Sequence, residues 1–178
     1  MTFYELAESR YTLRDMSDKE ISGEDLEKIL EAGRIAPTAK NSQSQRVLVV
    51  KGNESIAKMR ECTPNHFNAP VVLVVSYDTE ISSTCNNPIG GESYGEIDAA
   101  IVATHMVLQA TELGIGSAIV ATFDTKKLRE IFHFPENIKP VLLVDLGYPG
   151  EKGKPGPFHT RRFKLKKTVV YDSYGEDE

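Results

Sequence analysis

Residues 97–121 read Ile97-Asp98-Ala99-Ala100-Ile101-Val102-Ala103-Thr104-His105-Met106-Val107-Leu108-Gln109-Ala110-Thr111-Glu112-Leu113-Gly114-Ile115-Gly116-Ser117-Ala118-Ile119-Val120-Ala121, and the order of elements inside this stretch decides the fold. From 97 to 113, apolar side chains including Ala99, Ala100, Ile101, Val102, Ala103, Met106, Val107 and Leu108 occupy nearly every direction around the helical wheel. The spacing predicts a helix that is enclosed, either at the centre of the protein or in a subunit interface. Gly114 follows as its C-terminal cap, and residues 117–121 read as a strand. The Gly114-Ile115-Gly116 run superficially resembles a dinucleotide fingerprint. That fingerprint has to leave a strand and open a helix, and it carries a third glycine. Here a helix opens into a strand, so a dinucleotide-binding α/β fold is rejected.

Working outward, residues 3–8 read as a short helix, and a second starts at Ser22, where Ser22-Gly23-Glu24-Asp25 resembles a capping box. Its apolar stripe is Leu26, Ile29, Leu30 and Gly33, and Pro37 ends it by disfavouring helical geometry in the preceding residue. A polar loop, 38–44, leads into a strand at 46–50. Residues 54–62 read as a helix, and 71–77, an unbroken apolar run, as a strand buried on both faces. The irregular stretch 78–95 is rich in Ser, Asn, Pro and Gly and is the candidate substrate-facing loop. A helix at 125–132, a strand at 141–146, a turn at Gly147-Tyr148-Pro149-Gly150 and a β-prone Thr168-Val169-Val170-Tyr171 complete the chain. About four strands with helices before and between them give an α+β protein, a three-layer sandwich.

Several function classes fall away. The 178 residues suit one domain that buries roughly 70% of its unfolded surface. Residues 150–178 form a basic, then acidic, C-terminal extension. A net charge of −5 argues against a nucleic-acid partner. No apolar run approaches the ~18 residues of a membrane span and no leader pattern opens the chain, so a cytoplasmic protein without a membrane partner is expected. Cys62 and Cys85 lack metal or redox spacing and read as free thiols. His66, His105, His133 and His159 sit singly, so no metal site is expected. There is no G-x-S-x-G and no P-loop. Such a chain suits chemistry supplied by a cofactor. The basic stretch 152–167 reads either as the holder of one anionic group or as a solvated tail of mixed charge.

Two motifs have positive content. Arg10-Tyr11-Thr12-Leu13-Arg14 places two guanidinium forks around a hydroxyl, a set that suits a phosphate monoester, although arginines four apart are also common on surfaces. Ala36-Pro37-Thr38-Ala39-Lys40-Asn41-Ser42-Gln43 is a proline-stopped helix opening into a loop of small and amide residues; it suits the edge of a polar heterocycle or is an ordinary loop.

Taken together and in order, these segments resemble the nitroreductase family of FMN enzymes. The family's R-(R/H)-S-x-(R/K)-x-F looks like Arg10-Tyr11-Thr12-Leu13-Arg14-Asp15-Met16, and its A-P-S-x-x-N-x-Q-P-W looks like residues 36–45. The L-G-x-G-S after the apolar helix is similar to Leu113-Gly114-Ile115-Gly116-Ser117, and the late G-Y-P turn with a following basic segment resembles Gly147-Tyr148-Pro149 and residues 162–169. Tyr11, Met16 and Ser44-Gln45 depart from the pattern.

The resemblance implies an α-β-α sandwich with a central, mostly antiparallel sheet and an intertwined homodimer. It implies an oxidoreductase that passes hydride from NADH or NADPH through FMN to a small electrophilic acceptor, a nitroaromatic, quinone or flavin, by a ping-pong scheme. Arg10, Arg14, Arg162 and Arg161 would neutralise the FMN phosphate, with Tyr11 beside them and Thr12 donating. Pro37, Thr38, Ala39 and Asn41 would meet the flavin from the partner subunit. Backbone N–H groups of Ile119, Val120 and Ala121 would face its N5/O4 edge. No catalytic side chain is assigned; Tyr94 is a candidate from position alone. The rival readings are a flavin storage or sensor protein, and a specialised relative such as a dehalogenase or flavin-cleaving enzyme.

Overall fold

A short capping box starts the chain. Thr2 Oγ1 accepts from the Glu5 amide at 3.3 Å, and the Thr2 amide donates to Glu5 Oε2 at 2.7 Å, opening helix α1 (Phe3–Ser9). The computed structural model describes residues 1–83 and 94–174; the middle of the expected substrate loop and Cys85 lie outside the described residues. Ser22 accepts from the Asp25 amide at 3.0 Å and opens α2 (Gly23–Arg34), which ends three residues short of Pro37. There follow β1 (Gln45–Lys51), α3 (Asn53–Arg60), β2 (Val71–Asp78), α4 (Gly95–Glu112), β3 (Gly116–Val120), α5 (Thr125–Ile131) and β4 (Ile138–Gly147).

The strands form one sheet in the order β1-β2-β4-β3, every neighbouring pair antiparallel. All eight residues of β2 are buried, as its unbroken apolar run predicts. Val71, Leu73 and Val75 face α4 and α2 together with Leu142, Val144 and Leu146. Val72, Val74 and Leu143 face the opposite way, among Ile56 and Met59 of α3 and Leu128 of α5. Three layers result, with the sheet in the middle.

Two differences from the sequence reading have local causes. β4 begins at Ile138 rather than 141, because Pro140, which cannot donate to the ladder, sits opposite Ser76 where the β2–β4 register shifts, the kind of irregularity that tolerates proline. Thr168-Val169-Val170-Tyr171 is not a strand. It follows a 3-10 turn at Leu165–Lys167 and is exposed along its length, with no strand among the described residues pairing with it. No helix among the described residues is long and apolar enough to cross a membrane.

α4 buries Asp98, Ala99, Val102, Ala103, Met106, Val107 and Ala110, and Gly114 closes it at φ +73, where a side chain would be strained.

One core position breaks the pattern. Asp145 on β4, paired with Val72 and Ala118, is 1% exposed, and among the described residues neither of its side-chain oxygens has a hydrogen-bond partner. Burial raises its pKa from 3.8 to about 8, because the apolar surroundings oppose the charged form. Between those values the folded protein holds a proton that the unfolded chain releases, so folding stability is highest below the lower value and falls as pH rises through the higher one. Urea unfolding at pH 5, 7 and 9 is expected to show that decline in the wild type. Asp145→Asn, which cannot ionise, is expected to flatten it.

Candidate functional site

The segment between α1 and α2 carries the first half of the site. The Leu13 amide donates to Ser117 O at 2.9 Å, Thr12 bridges Ser117 in parallel, and Leu13 is wholly buried. A short extended run is thereby laid along β3. Because side chains alternate in an extended run, burying Leu13 turns Arg10, Thr12 and Arg14 away from the core.

Opposite them stands the C-terminal extension. Arg10, Tyr11, Thr12 and Arg14 line a cleft of about 210 Å³ with Gly156, Pro157, Phe158, His159 and Arg162. The His159 ring lies edge-on to Tyr11, centroids 6.0 Å apart. Arg162 Nη1 donates to His159 O at 2.5 Å and to Arg161 O at 2.9 Å, which ties the extension back on itself. A second hollow of about 210 Å³ shares Arg10 and Tyr11 and continues to Thr111, Gly114 and Ser117 at the end of α4.

The charges in the cleft are unbalanced. Among the described residues none of Arg10, Arg14 and Arg162 lies within ion-pair distance of a carboxylate, whereas the ion pairs that do form, such as Lys28–Glu24 and Lys58–Glu54, are surface pairs elsewhere. Three guanidiniums around one hydroxyl repel one another unless an anion sits between them, and their planar forks suit a phosphate.

The other expected site residues lie apart from this cleft. Arg161 stacks over the Phe158 ring at 5.2 Å and is not among the lining residues. Pro37, Thr38, Ala39 and Asn41 stand by the first turn of α4, where the Ala39 amide donates to Asp98 Oδ1 at 2.9 Å. A short 3-10 turn spans Ala39–Asn41. Lys40, Asn41 and Gln43 take positive φ of 54°, 54° and 51° on either side of a right-handed Ser42, a conformation that costs roughly 1–3 kcal/mol per non-glycine residue. Ile119 is 47% exposed while Val120 is buried, and Ala121 lies just past the end of β3. Tyr94 is the N-cap of α4.

In the sequence His159 is an isolated histidine, and Gly156, Pro157 and Phe158 belong to no motif. Their one signal is proximity to Arg161-Arg162 in a Pro/Gly-rich stretch. Burial raises the Cys62 thiol pKa, so it remains a thiol rather than a nucleophile. The described residues contain no group of three or more His, Cys, Asp or Glu that could hold a metal ion.

The chain matches the family model described as "Nitroreductase family" over residues 7–63 and 56–148. It is 34% identical over 151 residues to a protein of Archaeoglobus fulgidus named for NADH dehydrogenase/NAD(P)H nitroreductase, an alignment covering 81% of this chain and 83% of the relative. A nitroreductase family protein from Clostridium difficile 630 has the same fold at a TM-score of 0.90 and 37% identity, covering 97% of this chain and 99% of that one. An FMN-dependent nitroreductase from Clostridium difficile R20291 gives 0.77 and 25%, with 97% and 100% covered.

An anion should relieve the repulsion in the cleft even without an organic ligand. Millimolar phosphate is expected to raise the thermal midpoint of the flavin-free protein. Arg14→Gln is expected to abolish that rise while changing the phosphate-free stability by no more than about 0.5 kcal/mol, as read by differential scanning fluorimetry with and without phosphate.

Proposed function

The chain belongs to the nitroreductase family, and from that premise we propose that it is an FMN-dependent NAD(P)H oxidoreductase acting on a small electrophilic acceptor such as a nitroaromatic, a quinone or a flavin. The observation that carries the reading is the trio of unpaired guanidiniums, Arg10, Arg14 and Arg162, around Thr12 in one cleft. These residues fit the phosphate end of FMN: a dianion satisfies the forks, and the Thr12 hydroxyl supplies a neutral donor. When bound, FMN supplies the redox chemistry, taking hydride from NADH or NADPH and passing it to the acceptor in two separate half-reactions.

This chain's residues do the holding and orienting. Arg10 and Arg14 leave the same extended run, so Leu13, buried behind them, sets their spacing. Arg162 closes the cleft from the C-terminal extension, which on this reading is part of the site rather than a free tail. The backbone of Ile119, Val120 and Ala121, at and just beyond the end of β3, offers N–H groups to the ring edge of the flavin, where positive dipoles favour the arrival of hydride.

One protomer supplies too little. A cleft of about 210 Å³ falls below the roughly 300–1,000 Å³ of ordinary small-molecule pockets. Pro37, Thr38, Ala39 and Asn41 stand at the other end of α4. A homodimer completes the site, with the loop of one protomer covering the flavin of the other. Large apolar side chains stand uncovered on the protomer and are available to a partner surface: Phe3 at 73%, Tyr4 at 73%, Ile35 at 65% and Tyr171 at 79% exposure.

The deciding experiment is the visible spectrum of the purified protein, followed by NADH or NADPH without oxygen. Flavin bands that bleach rapidly are the expected result. Bands that resist both nucleotides would turn the reading to flavin storage or sensing, and no bands after incubation with FMN would remove the flavin site altogether. Arg14→Gln and Arg162→Gln are each expected to weaken FMN binding by at least about tenfold, the scale of one lost charge-assisted hydrogen bond, measured by fluorescence titration.

A further inference from the structure

The loop 38–43 is held in a costly shape by its own backbone, where the Asn41 amide donates to Thr38 O at 2.9 Å and the Ser42 amide to Ala39 O at 3.0 Å, and at its far end by Arg46 Nη1 of β1, which donates to Gln43 O at 3.2 Å. Thr38 Oγ1 accepts from the Gln43 amide at 3.0 Å, and Asp98 Oδ1 accepts from the Ala39 amide at 2.9 Å. The second bond ties the loop to a different element of the fold. Asp98 is 2% exposed, and its Oδ2 has no hydrogen-bond partner among the described residues.

The platform beneath Asp98 is firm. Gly95 packs so closely on the Tyr77 ring of β2 that a Cβ there would overlap it. Lys139 of β4 pairs with Glu96 at 2.8 Å. The first turn of α4 is thereby clamped to two strands of the sheet, and Asp98 projects from a fixed base.

A buried carboxylate that makes a single hydrogen bond to another element is a poor device for stability. The helix dipole favours an acid in the first turn, but a buried charge is expensive unless its oxygens are fully satisfied, and an apolar residue of similar size would avoid that cost. What no apolar residue could do is accept the Ala39 amide. We propose that Asp98 is a positioning residue for the flavin-facing loop: it fixes Ala39 relative to α4, holds the positive-φ residues Lys40, Asn41 and Gln43 in place, and so sets how Asn41 and the adjoining backbone meet the ring of FMN. The inference rests on the flavin reading above. Asp98 itself touches neither cofactor nor substrate.

Lys40 is exposed, so trypsin cleavage after it reports the loop in flavin-free protein. Asp98→Ala is expected to be cut there about tenfold faster than the wild type, since losing the buried hydrogen bond that ties Ala39 to α4 releases the loop on that scale. In flavin-loaded protein the same variant is expected to bind FMN about tenfold more weakly and to show a displaced flavin midpoint potential. Asp98→Asn keeps an oxygen for the Ala39 amide and is expected to restore all three readouts, a rescue that a purely structural role of the charge would not produce. If Asp98→Ala does not fold, Ala39→Pro deletes the donor from the other side. The extended Thr38 (φ −130, ψ 155) suits a following proline, and weakened FMN binding is again expected. Wild-type protein that takes up no FMN overturns the flavin reading and this inference with it. Wild type that binds FMN, matched by Asp98→Ala in cleavage, affinity and potential, overturns this inference alone.

Discussion

A helix that is apolar nearly all round has to be enclosed, and the enclosure of α4 organises the rest of the molecule. It lies against the sheet face formed by Val71, Leu73, Val75 and Val144, with Ile29 and Leu26 of α2 in the same cluster. Each end then has a task. At the C-terminal end Gly114 turns the chain into β3, whose Ser117 carbonyl receives the Leu13 amide and so fixes the segment bearing Arg10 and Arg14. At the N-terminal end Asp98 receives the Ala39 amide. Both halves of the candidate site are therefore registered to one element whose own position the hydrophobic effect decides.

The cleft shows the opposite balance of forces. A protein of net charge −5 has ample carboxylates, yet they pair with surface lysines and arginines elsewhere and leave Arg10, Arg14 and Arg162 without counter-ions among the described residues. Such an arrangement adds nothing to the folded state. Its cost is recovered only with an anion in place, which makes the charge distribution an argument about function rather than about fold. Asp145 and Asp98 extend the point inside the core: among the described residues Asp145 has both side-chain oxygens without a partner and Asp98 has only Oδ2 so, because Asp98 Oδ1 accepts a hydrogen bond from another element.

Most of the fold was legible because each signal was local and strong. The unbroken run of β2 could only be a strand covered on both faces, the Ser22 cap and Pro37 bracketed α2, and the helix-to-strand order across Gly114 excluded a dinucleotide fold. Pro140 hid the start of β4, since proline reads as a strand breaker until the facing irregularity at Ser76 is known. The β-prone run 168–171 misled for the converse reason: propensity describes fit to a sheet, and within one chain no sheet edge meets it. That Arg10, Thr12, Arg14 and Arg162 meet in one cleft accords with the spacing of the first three and with the motif resemblance that singled out the fourth. His159 was not legible in the sequence, because its place in the cleft depends on how the extension folds back over Tyr11. Arg161 and Arg162 differ in sequence only in that the family's motif begins at the second. The turn at 156–162 separates them in space, sending one to the cleft and the other over Phe158.

The length of α4 bears on the proposed sharing of the site between two protomers. From Asp98, beside the loop 38–43, to Thr111, beside the hollow that shares Arg10 and Tyr11, the helix rises roughly 20 Å at 1.5 Å per residue. A flavin anchored by its phosphate in the cleft would have to span most of that distance to meet its own protomer's loop. Two copies of α4 packed antiparallel about a two-fold axis bring the first turn of one beside the last turn of the other, and the distance vanishes. The face left free on α4 suits that contact. Ile97 is 57% exposed, Ala100 and Thr104 are exposed with Ile101 and Leu108 half-buried, and the Thr104 hydroxyl is already spent on Ala100 O at 2.8 Å, leaving its methyl group available for packing. The stripe recurs at the spacing of one helical face, with small residues in its middle where two helices can approach closely. On the proposed dimer, the helix that holds each protomer together also carries its loop to the neighbour's cofactor, so assembly and cofactor enclosure become one event.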